Sequence, residues 1–359
     1  MLNTKIYKTS HVVLGNSLSF LISPVYKILN LFRKRYNQKI NVKKILVTEY
    51  HRIGDVLIIN NALLAIKKTF PDAKLILICN ELAADLAKEL KIADEVIPIH
   101  VPWTDWEWSV SKFINARSFA KNLRKENIDL AFDFKGDLRN SWFLWHTCPK
   151  LSFGYNTTGG EYFFTHSFKM NYKRHQSIRA VELVAKAGCD FSELHSTIER
   201  KNKNGDIVLH ISSSDKNKAW PIKNWADLVE LLISKYQITL VKTAESTHLE
   251  KILKIRNINV GMFEGDLVKF KYWLENQYCL VGVDSMAGHL AAYVGIPVFT
   301  IFGSNEPELT RPISKNSEVI KPDEACSHKR IHWRFCQKCL GSISPKKVAE
   351  AIFNKLSAF

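Results

Sequence analysis

Three short stretches of this chain place carboxylate, hydroxyl and ammonium groups directly after apolar runs, where they could act on a bound ligand. Arg52-Ile53-Gly54-Asp55 follows the run KILVTE at residues 44–49. A glycine there permits a tight turn or a positive φ, and the carboxylate after it stands at the mouth of a sheet, near the start of the next helix. Asp55 could take a proton from a hydroxyl nucleophile. It could equally cap that helix. The second stretch, Ser212 to Pro221 (SSSDKNKAWP), follows DIVLHI at residues 206–211. Hydroxyls and an ammonium ahead of a helix suit a phosphate: Ser213, Ser214 and backbone N–H groups would donate hydrogen bonds while Lys218 offsets the charge. Glycine is absent, so this is not a Walker loop, and a solvated polar loop is the competing reading. The third is Asp284-Ser285-Met286-Ala287-Gly288-His289, inside residues 279–303, which read as strand, short helix and strand. Asp-Ser is a common N-cap and a histidine on a short helix is commonly a core residue, so Asp284, Ser285 and His289 each carry a structural reading beside the ligand-holding one.

A fourth cluster, CSHKRIHWRFCQKC, holds Cys326, His328, His332, Cys336 and Cys339. Cys336-x-x-Cys339 has the spacing of zinc ligands, but a second cysteine pair is missing, so metal is the weaker reading and none is assigned.

Regular alternation of strand-length apolar runs with helical patterns positions these groups. From Lys44 the order is strand (44–49), helix (61–70), strand (74–79), helix (81–90), strand (95–99), helix (about 112–125) and strand (128–134). The pattern loosens over about 147–205, apart from a helix at 177–188. It restarts with strands at 206–211, 237–242 and 258–263, separated by helices from Asn224, from about Thr247 and near 266–275. Such alternation indicates parallel sheets covered on both faces, an α/β fold of two Rossmann-like halves. The expected organisation is an N-terminal arm at 1–41, a first Rossmann-like domain at 42–204, a second at 205–343, and a C-terminal helix at 344–359 that starts with Ser344 as N-cap and Pro345 at its first position. Neither half has a strand followed by Gly-x-Gly-x-x-Gly, which weakens an NAD-binding oxidoreductase or nucleotide-binding regulator, the rival from another class.

The 359 residues carry 51 Lys+Arg against 35 Asp+Glu, a net charge of +16. That excess suits an anionic partner: a nucleotide-containing substrate, a phosphorylated lipid surface or nucleic acid. No RNA- or DNA-reading motif is present, and the aromatics follow the apolar pattern, so nucleic acid is not expected. Residues 1–44 hold nine of the Lys and Arg residues and no Asp or Glu. Their apolar stretch, VVLGNSLSFLISPVYKILNLF, is interrupted by Asn16, Ser17, Ser19, Ser23, Pro24 and Lys27, too often for a spanning helix. A basic arm on an anionic leaflet and an arm folded against the body are both open readings. Lys5 and Lys8 ahead of an apolar segment also begin as a signal peptide does, but no small-x-small cleavage site follows. Seven cysteines, with Cys79 and Cys279 inside apolar strand patterns, fit a reducing cytoplasm.

Taken together and in order, residues 44–72, 208–225 and 279–311 resemble the bacterial lipopolysaccharide heptosyltransferases, glycosyltransferase family 9. The matching pieces are ILVTEYHRIGDVLIINNALLAIKKTFPDA, HISSSDKNKAWPIKNW with its Lys-x-Trp-Pro-x-x-x-Trp, and VDSMAGHLAAYVGIPVFTIFGSNEP, and the resemblance spans roughly residues 42–355. It implies a GT-B architecture, two Rossmann-like parallel-sheet domains facing a cleft, and an inverting, cofactor-free and metal-independent transfer. The implied donor is ADP-L-glycero-D-manno-heptose, and the implied acceptor is Kdo-lipid A or the lipopolysaccharide core, at the cytoplasmic face of the inner membrane, reached through the basic arm. By the same resemblance Asp55 is the general base with Gly54 beside it, Ser213, Ser214 and Lys218 hold the diphosphate, and Asp284, Ser285 and His289 hold the donor. Arg52, Lys135, Arg139, Arg174, His175 and Arg179 fall in regions that line the acceptor half in similar proteins; a charged solvated face is the other reading for each. At residue 286 the family usually has Gly and this chain has Met, which raises a different nucleotide-sugar donor as the alternative.

Overall fold

The apolar runs become strands buried on both faces. In a computed structural model of the chain, which describes residues 9–34, 36, 40–104, 109–191, 204–213, 215–303, 306–324 and 337–357, two units separate, Met1–His195 and Ser196–Phe359.

The first unit runs α1 (Thr9–Leu31), β1 (Lys44–Glu49), α2 (Ile53–Ile58), α3 (Asn60–Thr69), β2 (Lys74–Cys79), α4 (Glu81–Glu89), β3 (Glu95–Pro98), α5 (Val110–Asn122), β4 (Leu130–Asp133), α6 (Leu138–Thr147), β5 (Leu151–Tyr155), β6 (His166–Phe168) and α7 (Gln176–Ala185). Its six parallel strands lie in the order β3-β2-β1-β4-β5-β6. The chain lays down β1, builds outward through β2 and β3, then returns to the other side of β1 with β4. The β1/β4 boundary is therefore the point where connections diverge, the usual ligand position in an open parallel sheet. The loosened stretch of the sequence hides β5 and β6, because LSFGY and HSF are short and flanked by glycine and aromatic residues.

The second unit runs β7 (Ile207–His210), α8 (Ile222–Leu232), β8 (Ile238–Val241), α9 (Ala244–Ile255), β9 (Gly261–Phe263), α10 (Leu267–Leu274), β10 (Cys279–Val283), α11 (Met286–Tyr293), β11 (Val298–Ile301), α12 (Pro307–Thr310), β12 (Ser317–Ile320), α13 (Gln337–Gly341) and α14 (Pro345–Leu356). The parallel order β12-β11-β10-β7-β8-β9 repeats the first unit's topology, with its divergence point between β7 and β10. Ser344 caps α14 as its sequence position indicates, accepting from Lys347 N at 3.2 Å. The two tryptophans of AWPIKNW are buried and meet edge to face at 4.9 Å, and Trp220 Nε1 donates to Ile343 O at 3.1 Å. They pin the loop carrying Lys218 to the core beside α14. Cys79 and Cys279 are buried free thiols, and burial pushes Cys79 up to about 12.

The arm corrects one expectation. Its polar residues do not break it: α1 is one continuous helix of 23 residues through Pro24, long and apolar enough by length and composition to cross a membrane. Of the residues that read as interruptions, Ser19 and Ser23, one helical turn apart, are buried, while Asn16, Ser17, Pro24 and Lys27 are exposed.

Candidate functional site

At the β1/β4 divergence both strands end on a buried carboxylate, Glu49 and Asp133. Burial pushes Asp133 up to about 7, although Asn140 Nδ2 donates to it at 3.2 Å and Gly136 N at 3.3 Å. Asn140 is in turn held by Trp103 Nε1 at 2.8 Å.

Asp55 lies in the first turn of α2, but the cap position is Arg52 and no side chain caps the helix. The helix-cap reading of Asp55 therefore fails. Its Oδ1 instead receives Lys135 Nζ at 2.8 Å and Gln176 Nε2 at 2.9 Å. Lys135 Nζ also reaches Glu49 Oε2 at 3.2 Å, and His51 Nδ1 lies 3.3 Å from Glu49 Oε1. Burial opposes the charge on Asp55, yet the Lys135 ammonium, His51 and the two donated hydrogen bonds outweigh it and hold the carboxyl well below its usual range. Lys135 mirrors this: burial disfavours its charge, and the two carboxylates raise its pKa overall. One ammonium is shared by two carboxylates, leaving Asp55 ionised and able to accept, though not strongly basic.

Gly54 corrects a second expectation, since it lies within α2 and is not among the glycines with positive φ. The left-handed glycine at this sheet edge is Gly136, φ 71°, which turns the chain after Lys135.

The remaining basic candidates of this unit are placed variously. Arg52 is exposed at the head of α2. Arg139 grips Asp137 through Nε at 2.9 Å and Nη2 at 2.6 Å. Arg174 is exposed and pairs with Glu182 at 3.6 Å. His175 caps α7, its Nδ1 accepting from Ser177 N at 3.1 Å. Arg179 is buried, with its guanidinium against Met170 Sδ, so it belongs to the interior and not to a solvated face. Lys135 of this group pairs with the Asp55 carboxylate, and Gln176, on α7, joins it.

In the second unit the loops after β7 and β10 converge at the other divergence point. Lys218 Nζ lies 2.7 Å from Asp284 Oδ2 and 3.4 Å from Asp284 O. Ser285 holds the N-cap position of α11 with extended backbone, φ −150° and ψ 171°, yet its hydroxyl makes no cap bond and lies 3.5 Å from His210 Nδ1. Burial takes His210 down to about 4, so the imidazole is neutral. Ser213 Oγ accepts from Asp215 N at 3.4 Å, whereas the hydroxyl of Ser212 is taken up by Thr243 and Glu245 at the head of α9. Ser214 lies outside the described residues. His289 is half-buried one turn along α11, and Met286 is half-buried at its first position. Gly288 is a packing glycine, since a Cβ there would come within 3.0 Å of Pro312. An ammonium with hydroxyls at a sheet's divergence point suits a phosphorylated leaving group.

Cys326, His328, His332 and Cys336 lie outside the described residues; Cys339 is half-buried. Among the described residues no group of three or more His, Cys, Asp or Glu is placed to hold a metal ion.

Glu49, Gln176 and His210 were not singled out from the sequence. For Glu49 the signal was present: a carboxylate closing an apolar strand stands at a sheet's carboxyl edge. For Gln176 there was none, because a neutral amide 121 residues from Asp55 gives no local pattern.

The family described as glycosyltransferase family 9 (heptosyltransferase) matches residues 116–338. Lipooligosaccharide heptosyltransferase 2 of Campylobacter jejuni is 25% identical over 330 residues, covering 85% of this chain and 95% of that protein. Lipopolysaccharide heptosyltransferase 1 of Escherichia coli strain K12 is 22% identical over 299 residues, covering 77% and 93%. The structure of Escherichia coli heptosyltransferase WaaC with ADP-2-deoxy-2-fluoro heptose superposes with a TM-score of 0.69 at 19% identity, covering 87% of this chain and 99% of that one, which shows a shared GT-B fold.

Proposed function

The chain belongs to glycosyltransferase family 9, the heptosyltransferases, and on that premise we propose that it moves a heptose, with inversion and without a metal ion, from ADP-L-glycero-D-manno-heptose to the Kdo/heptose inner core of lipopolysaccharide, in the cytoplasm. The observation that carries this reading is that each unit's divergence point holds one half of the needed chemistry: Asp55 bound by Lys135 and Gln176, and Lys218 bound by Asp284.

In this reaction an acceptor hydroxyl oxygen bonds to the anomeric carbon as that carbon's bond to the diphosphate oxygen breaks. The hydroxyl proton passes to Asp55, and ADP leaves with the electron pair. The hydroxyl becomes acidic as its oxygen bonds to carbon, so an ionised carboxylate of low basicity suffices. Lys218, with Ser213 and Ser285, meets the charge that grows on the diphosphate. Asp284 holds the ammonium in place until then. Ser214 and His289 complete the proposed donor set, with Gly54 beside the base. Lys135, Arg139, Arg52 and Arg174 are the proposed contacts to acceptor anions, and the buried Arg179 is left to the interior of the unit.

Met286 favours a second reading that keeps fold and reaction and changes the donor sugar, because a thioether side chain half-buried beside Ser285 narrows the space a Gly would leave. Purified protein incubated with ADP-heptose and a deacylated Kdo-lipid A acceptor should release ADP. ADP at about a hundred times its Kd should stabilise the fold by ~2.7 kcal/mol. A melting shift with NAD alone would overturn the transferase reading, and turnover of another nucleotide sugar in preference to ADP-heptose would establish the second.

The pH profile tests the Lys135 contact separately. Without Lys135, Asp55 loses the ammonium that does most to lower it, and its pKa rises from its depressed value. Wild-type kcat/KM should therefore hold into mild acid, while the acid limb of Lys135→Met should lie at higher pH than that of wild type. Lys135→Arg should keep most of the wild-type limb. Coincident acid limbs for wild type and Lys135→Met would remove Lys135 from the assignment.

A further inference from the structure

An amphipathic helix on a soluble domain turns its apolar stripe to the core and its polar face to water; α1 turns inward a mixed stripe, Gly15, Ser19, Ser23 and Asn30 beside Val12, Ile22 and Tyr26, and leaves most of its large apolar side chains outside. Ser19 Oγ accepts from Gly160 N at 2.9 Å and donates to Tyr162 OH at 3.2 Å. Further along, Asn30 Nδ2 donates to Tyr162 O at 2.7 Å while Asn30 Oδ1 accepts from Trp145 Nε1 at 2.8 Å. Just past the helix end Arg33 donates to Trp145 O at 2.7 Å, with its guanidinium 3.7 Å above the Trp145 ring. Gly15, Ser19 and Ser23 form a small-residue stripe that lets backbones approach: a Cβ on Gly15 would come within 2.8 Å of Thr158 O, and one on Gly159, φ 93°, within 2.4 Å of Ser19 Cβ. This is the packing chemistry of helices whose surroundings are as apolar as they are.

Among the described residues nothing covers the opposite face. Ten of the nineteen exposed large hydrophobics among the described residues are on α1 or at Phe32 immediately after it, including Leu14, Phe20, Leu21, Ile28 and Leu31. A continuous patch of that kind marks an interaction surface. Its charge setting selects the occupant. The nine Lys and Arg of residues 1–44, with no Asp or Glu, would repel across an interface between two copies and attract an anionic leaflet. The polar stripe is tied to the first unit from Ser19 to Arg33, so both ends of the docked helix stay on that unit's side of a bilayer. We propose that α1 is a monotopic membrane seat: it lies in the plane of an anionic leaflet, sinks its apolar face among the acyl chains, and is clamped side-on to the first unit by its polar stripe. The helix precedes residue 116, where the family match begins, and the inference is independent of the reaction assigned above. It revises the basic-arm expectation, since apolar insertion holds the protein and charge adds attraction.

Flotation of the full-length protein with phosphatidylglycerol/phosphatidylethanolamine vesicles tests this without any turnover. Wild type should float at about 0.1 M and still at about 1 M NaCl, where surface charge is screened. Leu21→Glu/Ile28→Glu should weaken partitioning about tenfold or more at both salts, with an unchanged circular dichroism melt. Lys27→Gln/Lys34→Gln should weaken it only at low salt. Release of wild type at high salt would reduce the arm to electrostatic adhesion and overturn the seat. So would a Leu21→Glu/Ile28→Glu protein that floats like wild type, or a wild-type dimer that this variant splits with flotation unaltered. An N-terminal tag shielded from protease added outside the vesicles would replace the in-plane helix with a spanning one.

Discussion

Asp55→Ala is expected to lower kcat by about a hundredfold to ten-thousandfold, the usual contribution of a positioned acid or base, with little change in the melting shift produced by ADP. The fold should survive, because Lys135 keeps Glu49 as a partner at 3.2 Å and is not left buried with an unpaired charge. Asp55→Asn should be nearly as slow: the amide still accepts from Gln176 but cannot take the hydroxyl proton. ADP release from a defined acceptor, measured beside a circular dichroism melt, separates chemistry from folding. An Asp55→Ala enzyme as fast as wild type would sink the base assignment.

Lys218→Met should cost about a hundredfold to a thousandfold in kcat, as removal of one electrostatic stabiliser of a developing anion does. It also leaves Asp284 a buried carboxylate without its 2.7 Å partner, so some loss of stability accompanies it. Lys218→Met/Asp284→Asn removes that complication, restoring the melt while leaving kcat low. Lys218→Arg should recover part of kcat. Retention of wild-type kcat and KM in the double variant would take Lys218 away from the leaving group. The two variants differ in their signature: loss of Asp55 spares ADP binding, whereas loss of Lys218 weakens the ADP melting shift as well.

Much of this architecture was legible from residue pattern. Buried parallel strands such as ILVTE and CLVGV carry their own signal, since both faces are covered and the apolar run is continuous. The pairing of Lys218 with Asp284 follows from strand order, which brings the ends of β7 and β10 together across 66 residues. What sequence could not show was which polar groups turn inward. Asp55 read equally well as a cap, and only its contacts with Lys135 and Gln176 separate the two readings. Arg179 and Arg174 lie five residues apart in one basic segment, yet one is buried and the other exposed. The arm misleads because polar residues read as breaks in hydrophobicity, whereas Ser19, Ser23 and Asn30 at helical spacing belong to its inward face.

That face bears on how the protein is handled at the bench. Cutting the chain ahead of β1 would strip hydrogen-bond partners from Gly160 N and Trp145 Nε1 and uncover the Trp145 and Tyr162 rings, leaving a sticky scar where the helix had been. A detergent-free preparation is better obtained by keeping α1 and recolouring its outer surface, with Phe20, Leu21, Leu31 and Phe32 exchanged for glutamate and glutamine.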